Sequence, residues 1–216
     1  MKILHTADWH LGQTFYEYDR REEHLHFFEW LKQQIKQHEI DVLLIAGDVF
    51  DSPNPSAESQ RMYYRFLREV TAGNPSLQII IIAGNHDSAA RLEAPNPLLE
   101  NLNITVRGIV RRNAESNIDL QHLIVPIYTV SSDSPVRSDA SSRPLSTVSL
   151  NIPPHREIAA YCLAVPYLRQ GDYPSAETYS KGIQQLYEQL FNEVKEKGKP
   201  VVAMGHLQAT GSEISE

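Results

Sequence analysis

The sequence of 216 residues is poor in cysteine and in long apolar segments. Its one cysteine, Cys162, excludes an internal disulfide and a thiolate zinc site, and it is compatible with a reducing cytoplasm. Apolar runs such as Ile79–Ala83 are far too short to span a bilayer. Polar residues His5 and Thr6 follow the first four residues at once, which leaves no apolar stretch of the kind found in signal peptides. We therefore expect a cytoplasmic protein without a membrane partner.

Positive charge is also scarce, because 20 Lys and Arg residues face 27 Asp and Glu residues and the net charge is −7. This balance argues against a generic polyanion-binding protein covered in Lys and Arg. Any chemistry on phosphates should therefore depend on metal ions and a local patch. Hydrophobic residues make up 41% of the chain and charged residues 22%, which excludes a disordered protein. We predict that residues 1–216 form one α/β domain with a sizeable core.

The hydrophobic pattern predicts alternating strands and helices. Short apolar runs that end at Gly or Asp are typical of buried strands, and apolar residues three or four apart are typical of helices. The predicted strands are Lys2–Thr6, Asp41–Ala46, Gln78–Ala83, Ile158–Val165 and Pro200–Met204. The predicted helices run over about Glu22–His38, from Asn54-Pro55 to about Ala72, and from Tyr179 to about Lys197. This alternation of strands and helices favours a layered α/β fold.

The middle of the chain is less regular. The segment Ser131–Leu150 contains eight Ser among its twenty residues and has neither a helical nor a strand period. Such composition is typical of loops, so we predict a flexible surface insertion over residues 131–150.

Four predicted strands are followed by residues that can bind metal ions or exchange protons. In chain order these residues are Asp8 and His10, then Asp48 and Asp51, then Asn85, His86 and Asp87, and finally His206. Ligands of open α/β sheets gather at the carboxyl ends of the strands, so the four segments can meet in one crevice. Mixed oxygen and imidazole donors suit manganese, iron or zinc and suit calcium poorly.

A pair of such metal ions would explain this choice of residues. Two cations about 3.5–4 Å apart lower the pKa of a shared water and stabilise both the attacking and the leaving oxygen of a phosphate ester. Asp48 is a short carboxylate on a tight turn, as a bridging ligand must be, and Asn85 adds an oxygen without adding charge. His86 would then remain available to donate a proton to the leaving oxygen. Asp51 is the natural partner to fix the tautomer of His86.

Each motif alone has an ordinary structural explanation. Asp-x-His and Gly-Asp-x-x-Asp occur in many turns, because Gly and Asp are common turn residues. Gly-Asn-His-Asp directly after an apolar strand is harder to explain as a turn. All of them in this order, each at a strand end, favour a functional site. For His206 alone a structural role stays open.

The ordered motifs Asp8-x-His10, Gly47-Asp48-x-x-Asp51, Gly84-Asn85-His86-Asp87 and Gly205-His206 resemble those of the calcineurin-like metallophosphoesterases. This resemblance implies a two-sheet sandwich flanked by helices, with four layers in the order αββα, and a centre of two divalent ions, most readily Mn²⁺. It implies that Asp8 and His10 hold one ion and that Asp48 bridges. Asn85 and His206 would hold the other ion, and His86 would be the catalytic acid.

Longer phrases narrow the resemblance to the SbcD family of nuclease subunits. They are ILHTADWHLGQ at Ile3–Gln13, AGDVFD at Ala46–Asp51, AGNHDS at Ala83–Ser88, VPYLR at Val165–Arg169 and MGHL at Met204–Leu207. The resemblance implies a double-strand 3′→5′ DNA exonuclease and single-strand endonuclease that acts in DNA repair and recombination. It implies DNA and an SbcC-type coiled-coil ATPase as partners. A metallophosphatase or small-substrate phosphodiesterase of the same superfamily is the alternative.

Two further expectations concern the ends and the surface of the chain. The family pattern continues with a Gly-His-x-His motif and a small capping domain, so we expect a C-terminally incomplete domain that binds metal weakly. A non-catalytic dimeric scaffold therefore remains an alternative. Apolar residues wrap most of the helix after Asn54, among them Met62, Tyr64 and Val70. We therefore expect a homodimer through this helix and the helix after Glu22, as the resemblance also implies.

Overall fold

The computed structural model describes residues 1–130 and 156–207. The predicted insertion at Ser131–Leu150 lies outside the described residues. Within the described ranges, no helix combines the length and the apolar character that crossing a membrane requires.

The described strands alternate with helices along the chain. The strands are β1 (Ile3–Thr6), β2 (Thr14–Phe15), β3 (Tyr18–Asp19), β4 (Val42–Ala46), β5 (Gln78–Ile82), β6 (Ile104–Arg107), β7 (Ile124–Val130), β8 (Arg156–Val165) and β9 (Val201–Gly205). The α-helices are α1 (Arg21–Gln37), α2 (Ala57–Gly73), α3 (Ala89–Glu93), α4 (Asn96–Leu99), α5 (Leu120–Leu123) and α6 (Tyr179–Val194). Short 3₁₀ turns follow α4 and α6, at Glu100–Leu102 and Lys195–Lys197.

Two sheets pack face to face. The first is fully parallel in the order β1-β4-β5-β6, and the second has the order β7-β8-β9. In the second sheet, β7 and β8 are antiparallel, whereas β8 and β9 are parallel. A separate two-stranded hairpin, β2-β3, follows the predicted ligands Asp8 and His10.

Three apolar layers separate four layers of secondary structure. Successive strand residues point to opposite faces, so β4 sends Leu43 and Ile45 towards α1 and α2 but Val42 and Leu44 towards the second sheet. The second sheet likewise divides its residues between the sandwich interior and α6. Both faces of each sheet are therefore covered, which explains why the central strands are apolar throughout. The predicted αββα sandwich is confirmed.

The helix α2 buries its apolar residues inside the chain itself. Met62, Phe66 and Val70 are 7% exposed or less and belong to the core between the first sheet and the helices. The wide apolar circumference is thus explained by packing within one chain. The observation that suggested a homodimer through this helix is therefore accounted for without a second copy.

Most strand and helix boundaries lie within two residues of the predicted ones, with a few informative differences. The side chain of Ser56, not Asn54, caps α2 by accepting a hydrogen bond from the backbone N–H of Ser59 at 3.0 Å. Helix α6 ends at Val194, and the predicted last turn is the 3₁₀ turn that follows it. The edge strands β6 and β7 were not predicted.

A buried amide joins the two sheets at the end of the sandwich far from the predicted metal site. Gln78, the first residue of β5, donates from Nε2 to the Pro126 carbonyl at 2.8 Å and accepts from the Tyr128 N–H at 3.2 Å. The β7-β8 register shifts at this point, because Ile127 pairs with Ala160 but Tyr128 pairs with Ile158. Gln78 thus binds one carbonyl and one N–H of β7 on either side of Ile127, next to this irregularity.

Replacing this amide should destabilise the sandwich. Gln78→Leu removes the hydrogen bonds to the Pro126 carbonyl and from the Tyr128 N–H, so we expect the free energy of unfolding to fall by about 2 kcal/mol. Urea denaturation measures this change. Gln33→Leu, at an exposed position of α1, is the control and should change the free energy of unfolding by less than about 0.5 kcal/mol. Equal stability of the two variants would contradict the bridging role of Gln78.

Candidate metal centre

The four sequence segments predicted to form a site converge at one edge of the sandwich. Parallel pairing places the carboxyl ends of β1, β4 and β5 side by side, and β9 ends next to them. The loops after β1 and β4 are joined directly, since the N–H of Asp8 donates to the Gly47 carbonyl at 3.1 Å and that of His10 to the Asp48 carbonyl at 2.9 Å. This pairing fixes the first two motifs relative to each other.

Three of the candidate ligands have a strained backbone. Asp8, His10 and Asp48 all have positive φ angles, of 55°, 46° and 48°. Positive φ is unfavourable for residues with a side chain and tends to persist at functional sites, where surrounding structure holds it in place. Here the sharp turns let each side chain leave its strand immediately and face the same centre.

The carboxylate of Asp48 lies at the middle of this centre. Asp48 is 3% exposed, and its Oδ1 accepts a hydrogen bond from the backbone N–H of His86 at 2.8 Å. Its Oδ2 lies 3.4 Å from Nε2 of His206 and 3.6 Å from Nε2 of His10. Burial alone would raise the pKa of Asp48, but the hydrogen bonds from His206 and His86 outweigh it and the pKa is lowered.

His206 approaches Asp48 from the second sheet. Its Nδ1–H donates to the Ala46 carbonyl at 2.8 Å, which turns Nε2 towards Asp48 and places it 3.1 Å from Oδ1 of Asn85. The hydrogen bond with Asp48 raises the pKa of His206 to about 9, against the opposing effect of burial. Tyr187 supports this placement, because its hydroxyl donates to the Met204 carbonyl at 3.0 Å, two residues before His206.

The donor atoms form two groups that share Asp48. One group is His10, Asp48 and His86, the other is Asp8, Asp48 and His206, and within each group the atoms lie within 4.8 Å of one another. Asp8 Oδ1 is also 4.0 Å from Nε2 of His10. A carboxylate common to two groups of imidazole and carboxylate donors fits a pair of divalent ions, by the donor chemistry alone.

The backbone and the side chain of Asp51 lie next to different histidines. The Nδ1 of His86 lies 2.9 Å from the backbone carbonyl of Asp51, so the carbonyl and not the carboxylate fixes this ring. The Asp51 carboxylate instead lies 3.3 Å from Nδ1 of His10, at an angle too poor for a hydrogen bond. Asp51 is therefore next to His86, as predicted, but it contacts the ring through its backbone.

Asp87 has a structural role that the sequence interpretation left open. It is 1% exposed, and its carboxylate accepts hydrogen bonds from the backbone N–H groups of Gly84, Val49 and Phe50 at 2.9, 3.1 and 2.9 Å. These bonds tie the loop after β5 to the loop after β4. Burial raises the pKa of Asp87, although the three hydrogen bonds oppose this rise. Its position directly after His86 was the only signal for this role.

Trp9 anchors the loop that carries Asp8 and His10. Its side chain is 5% exposed and packs edge-on against Phe28 and Phe66, with centroid distances of 5.0 and 5.4 Å. The indole N–H donates to the hydroxyl of Thr6 at 3.0 Å. The aromatic core therefore holds the residue between two candidate ligands, which limits how far either ligand can move.

Comparison with known proteins assigns this fold to a family of phosphoesterases. The sequence profile of the calcineurin-like phosphoesterases matches residues 1–216, and the chain belongs to that family. The predicted membership of the calcineurin-like phosphoesterase family is therefore confirmed.

Three similar proteins are each the SbcD component of the nuclease SbcCD. The Rhodobacter capsulatus protein is 37% identical over 98% of this chain and 49% of its own length. The Escherichia coli protein is 42% identical over 49% of this chain and 26% of its own length. The Bacillus subtilis protein is 39% identical over 50% of this chain and 27% of its own length. The chain spans about half the length of the R. capsulatus relative.

A single methyl group at Gly84 should disturb the metal centre. An added Cβ there would overlap Oδ1 and the backbone nitrogen of Asp48. Gly84→Ala must displace the shared carboxylate, so we expect the affinity for Mn²⁺ to fall by about tenfold or more. Isothermal titration calorimetry measures the affinity.

The matched control is Gly73→Ala at the end of α2, where an added Cβ meets nothing within 4 Å. This variant should bind Mn²⁺ like the unchanged chain. Unchanged affinity in Gly84→Ala would show that Asp48 does not form the shared ligand.

Proposed function

We propose that this chain carries the metal centre of a Mn²⁺-dependent DNA nuclease, an SbcD-like double-strand 3′→5′ exonuclease and single-strand endonuclease. The observation that carries the proposal is Oδ2 of Asp48, which lies 3.4 and 3.6 Å from the Nε2 atoms of His206 and His10. Ions held on both sides of one carboxylate suit hydrolysis of phosphate esters. The similarity to an SbcCD nuclease protein along nearly the whole chain supports DNA as the substrate class.

The proposed ligand sets follow the family resemblance. Asp8 and His10 would hold one ion, Asn85 and His206 would hold the other, and Asp48 would bridge. They differ from the two groups of donor atoms described above, in which Asp8 lies with His206 and His10 lies with His86. When bound, two divalent ions supply a nucleophilic water at neutral pH and stabilise charge on the phosphate. The imidazole and carboxylate donors fit manganese, and we include Mn²⁺ in the proposal on that ground.

His86 would act on the leaving oxygen. Its Nδ1–H points at the Asp51 carbonyl at 2.9 Å, which leaves Nε2 to carry the proton that is transferred. The ring also packs edge-on against His10 at a centroid distance of 4.8 Å, so it lies beside one of the two ligand sets.

The partners and the location belong to the same proposal. An SbcC-type coiled-coil ATPase is inferred from the names of the relatives, which place them within the SbcCD nuclease. A cytoplasmic location is supported by Cys162, a single buried thiol. The homodimer remains a prediction from resemblance, since α2 buries its apolar residues within the chain.

His86→Asn tests the catalytic role. We expect kcat for a phosphodiester to fall by about 10²–10⁴-fold, because proton transfer to the leaving oxygen is lost. Affinity for Mn²⁺ should stay within about twofold, because the five proposed ligands remain. The assays are degradation of end-labelled duplex DNA, hydrolysis of bis(p-nitrophenyl) phosphate, and calorimetric titration with Mn²⁺.

His38→Asn, at an exposed position after α1, is the matched control and should leave both quantities unchanged. The R. capsulatus relative serves as the positive control for DNA cleavage. A parallel fall in metal affinity would make His86 a ligand rather than the acid. Hydrolysis of the small ester with intact DNA would favour the small-substrate phosphodiesterase, and no hydrolysis of either would favour the non-catalytic scaffold.

A further inference from the structure

One side of the metal centre opens into a cleft whose lining combines polar and apolar residues. The cleft has a volume of about 500 Å³, and the candidate ligands Asp8, Asn85 and His206 form one part of it. The rest of its lining is His5, Ala7, Ala46, Tyr167, Gly205 and Leu207. A cleft with converging polar groups and an aromatic ring suits an organic ligand that carries a charged end. A phosphate ester bound at the metal centre would thus extend one of its two groups into this cleft.

Tyr167 presents an aromatic ring in this cleft. Its backbone N–H donates to the Ala83 carbonyl at 2.8 Å, which fixes the chain after β8 to the chain just before Gly84 and Asn85. The ring is half-buried, and its centroid lies 6.3 Å from that of His206 with an angle of 74° between the planes. The two rings are not stacked, so His206 covers at most one face of Tyr167.

A positive charge lies next to the Tyr167 ring. Arg169 is exposed, and its guanidinium carbon lies 6.0 Å from the centroid of the Tyr167 ring. A cation beside an aromatic surface suits a ligand that combines a flat ring with negative charge, as nucleotides do.

The position of His86 indicates which part of a substrate the cleft receives. Neither His86 nor His10 lines the cleft, whereas Asp8, Asn85 and His206 do. A group that leaves beside His86 therefore departs outside the cleft. The group inside the cleft stays attached to the phosphate after hydrolysis.

We propose that the cleft is a nucleoside subsite, in which Tyr167 stacks on the base of the nucleotide whose phosphate lies at the metal centre. The proposal rests on the proposed function for the presence of a nucleotide ester, and it adds the residue that holds the base. Tyr167 is a positioning residue in this scheme, and the retained product is a nucleoside monophosphate.

The test compares two ligands of the Mn²⁺-loaded chain by calorimetry. Thymidine 5′-monophosphate should bind about tenfold or more tightly than inorganic phosphate, because stacking adds to the contact with the phosphate. Tyr167→Leu should reduce this ratio to about twofold or less and leave the affinity for inorganic phosphate unchanged. Tyr167→Phe keeps the ring and should keep the ratio.

Tyr128→Leu is the control, since Tyr128 pairs with Ile158 at the end of the second sheet away from the metal centre. This variant should keep the full thymidine preference. Equal binding of the two ligands by the unchanged chain, or binding of neither, would overturn the subsite, as would an unchanged ratio in Tyr167→Leu. Phenyl phosphate binding as tightly as the nucleotide would overturn the assignment to nucleosides. A retained thymidine preference without any hydrolysis would count against the proposed function and leave the subsite standing.

Discussion

The arrangement of this protein depends on one buried carboxylate that must stay ionised. Asp48 is 3% exposed, and an isolated charge at such a position would be strongly unfavourable. The backbone N–H of His86 and the imidazole of His206 offset that cost, and they come from the ends of two other strands. The centre therefore forms only where three strand ends meet, which makes the sandwich a requirement of the chemistry and not only its support.

The parallel register supplies this meeting point. Thr6 pairs with Ile45 and Ala46 pairs with Ile82, so the residues after β1, β4 and β5 begin at nearly the same level of the sheet. Asp87 then joins two of the loops through three backbone hydrogen bonds. His206 adds the second sheet, because its Nδ1–H donates to the carbonyl of Ala46. Each contact uses a group that would otherwise be unsatisfied at a strand end.

Much of this could be predicted from local sequence. Apolar runs such as Asp41–Ala46, followed at once by Gly and Asp, indicate both a buried strand and the position of its ligand. The edge strands β6 and β7 could not be predicted in this way, since their pairing depends on neighbours distant in sequence. The bond between Gln78 and the bulged strand is likewise visible only in three dimensions. The same limit explains Asp51, whose carbonyl rather than carboxylate meets His86. Spacing shows which residues are close, but the backbone conformation decides which of their atoms touch.

Net charge links the metal centre to its substrate. A chain with a net charge of −7 repels a polyanion, and the site itself adds the carboxylates of Asp8, Asp48 and Asp51. Two divalent ions would reverse the local charge of that site, so attraction for phosphate should exist only where and when metal is bound. Stacking on Tyr167 would have no such dependence, because stacking acts on a neutral base. Recognition of the phosphate and recognition of the nucleoside would then rest on separate physical interactions, and only the first would require metal.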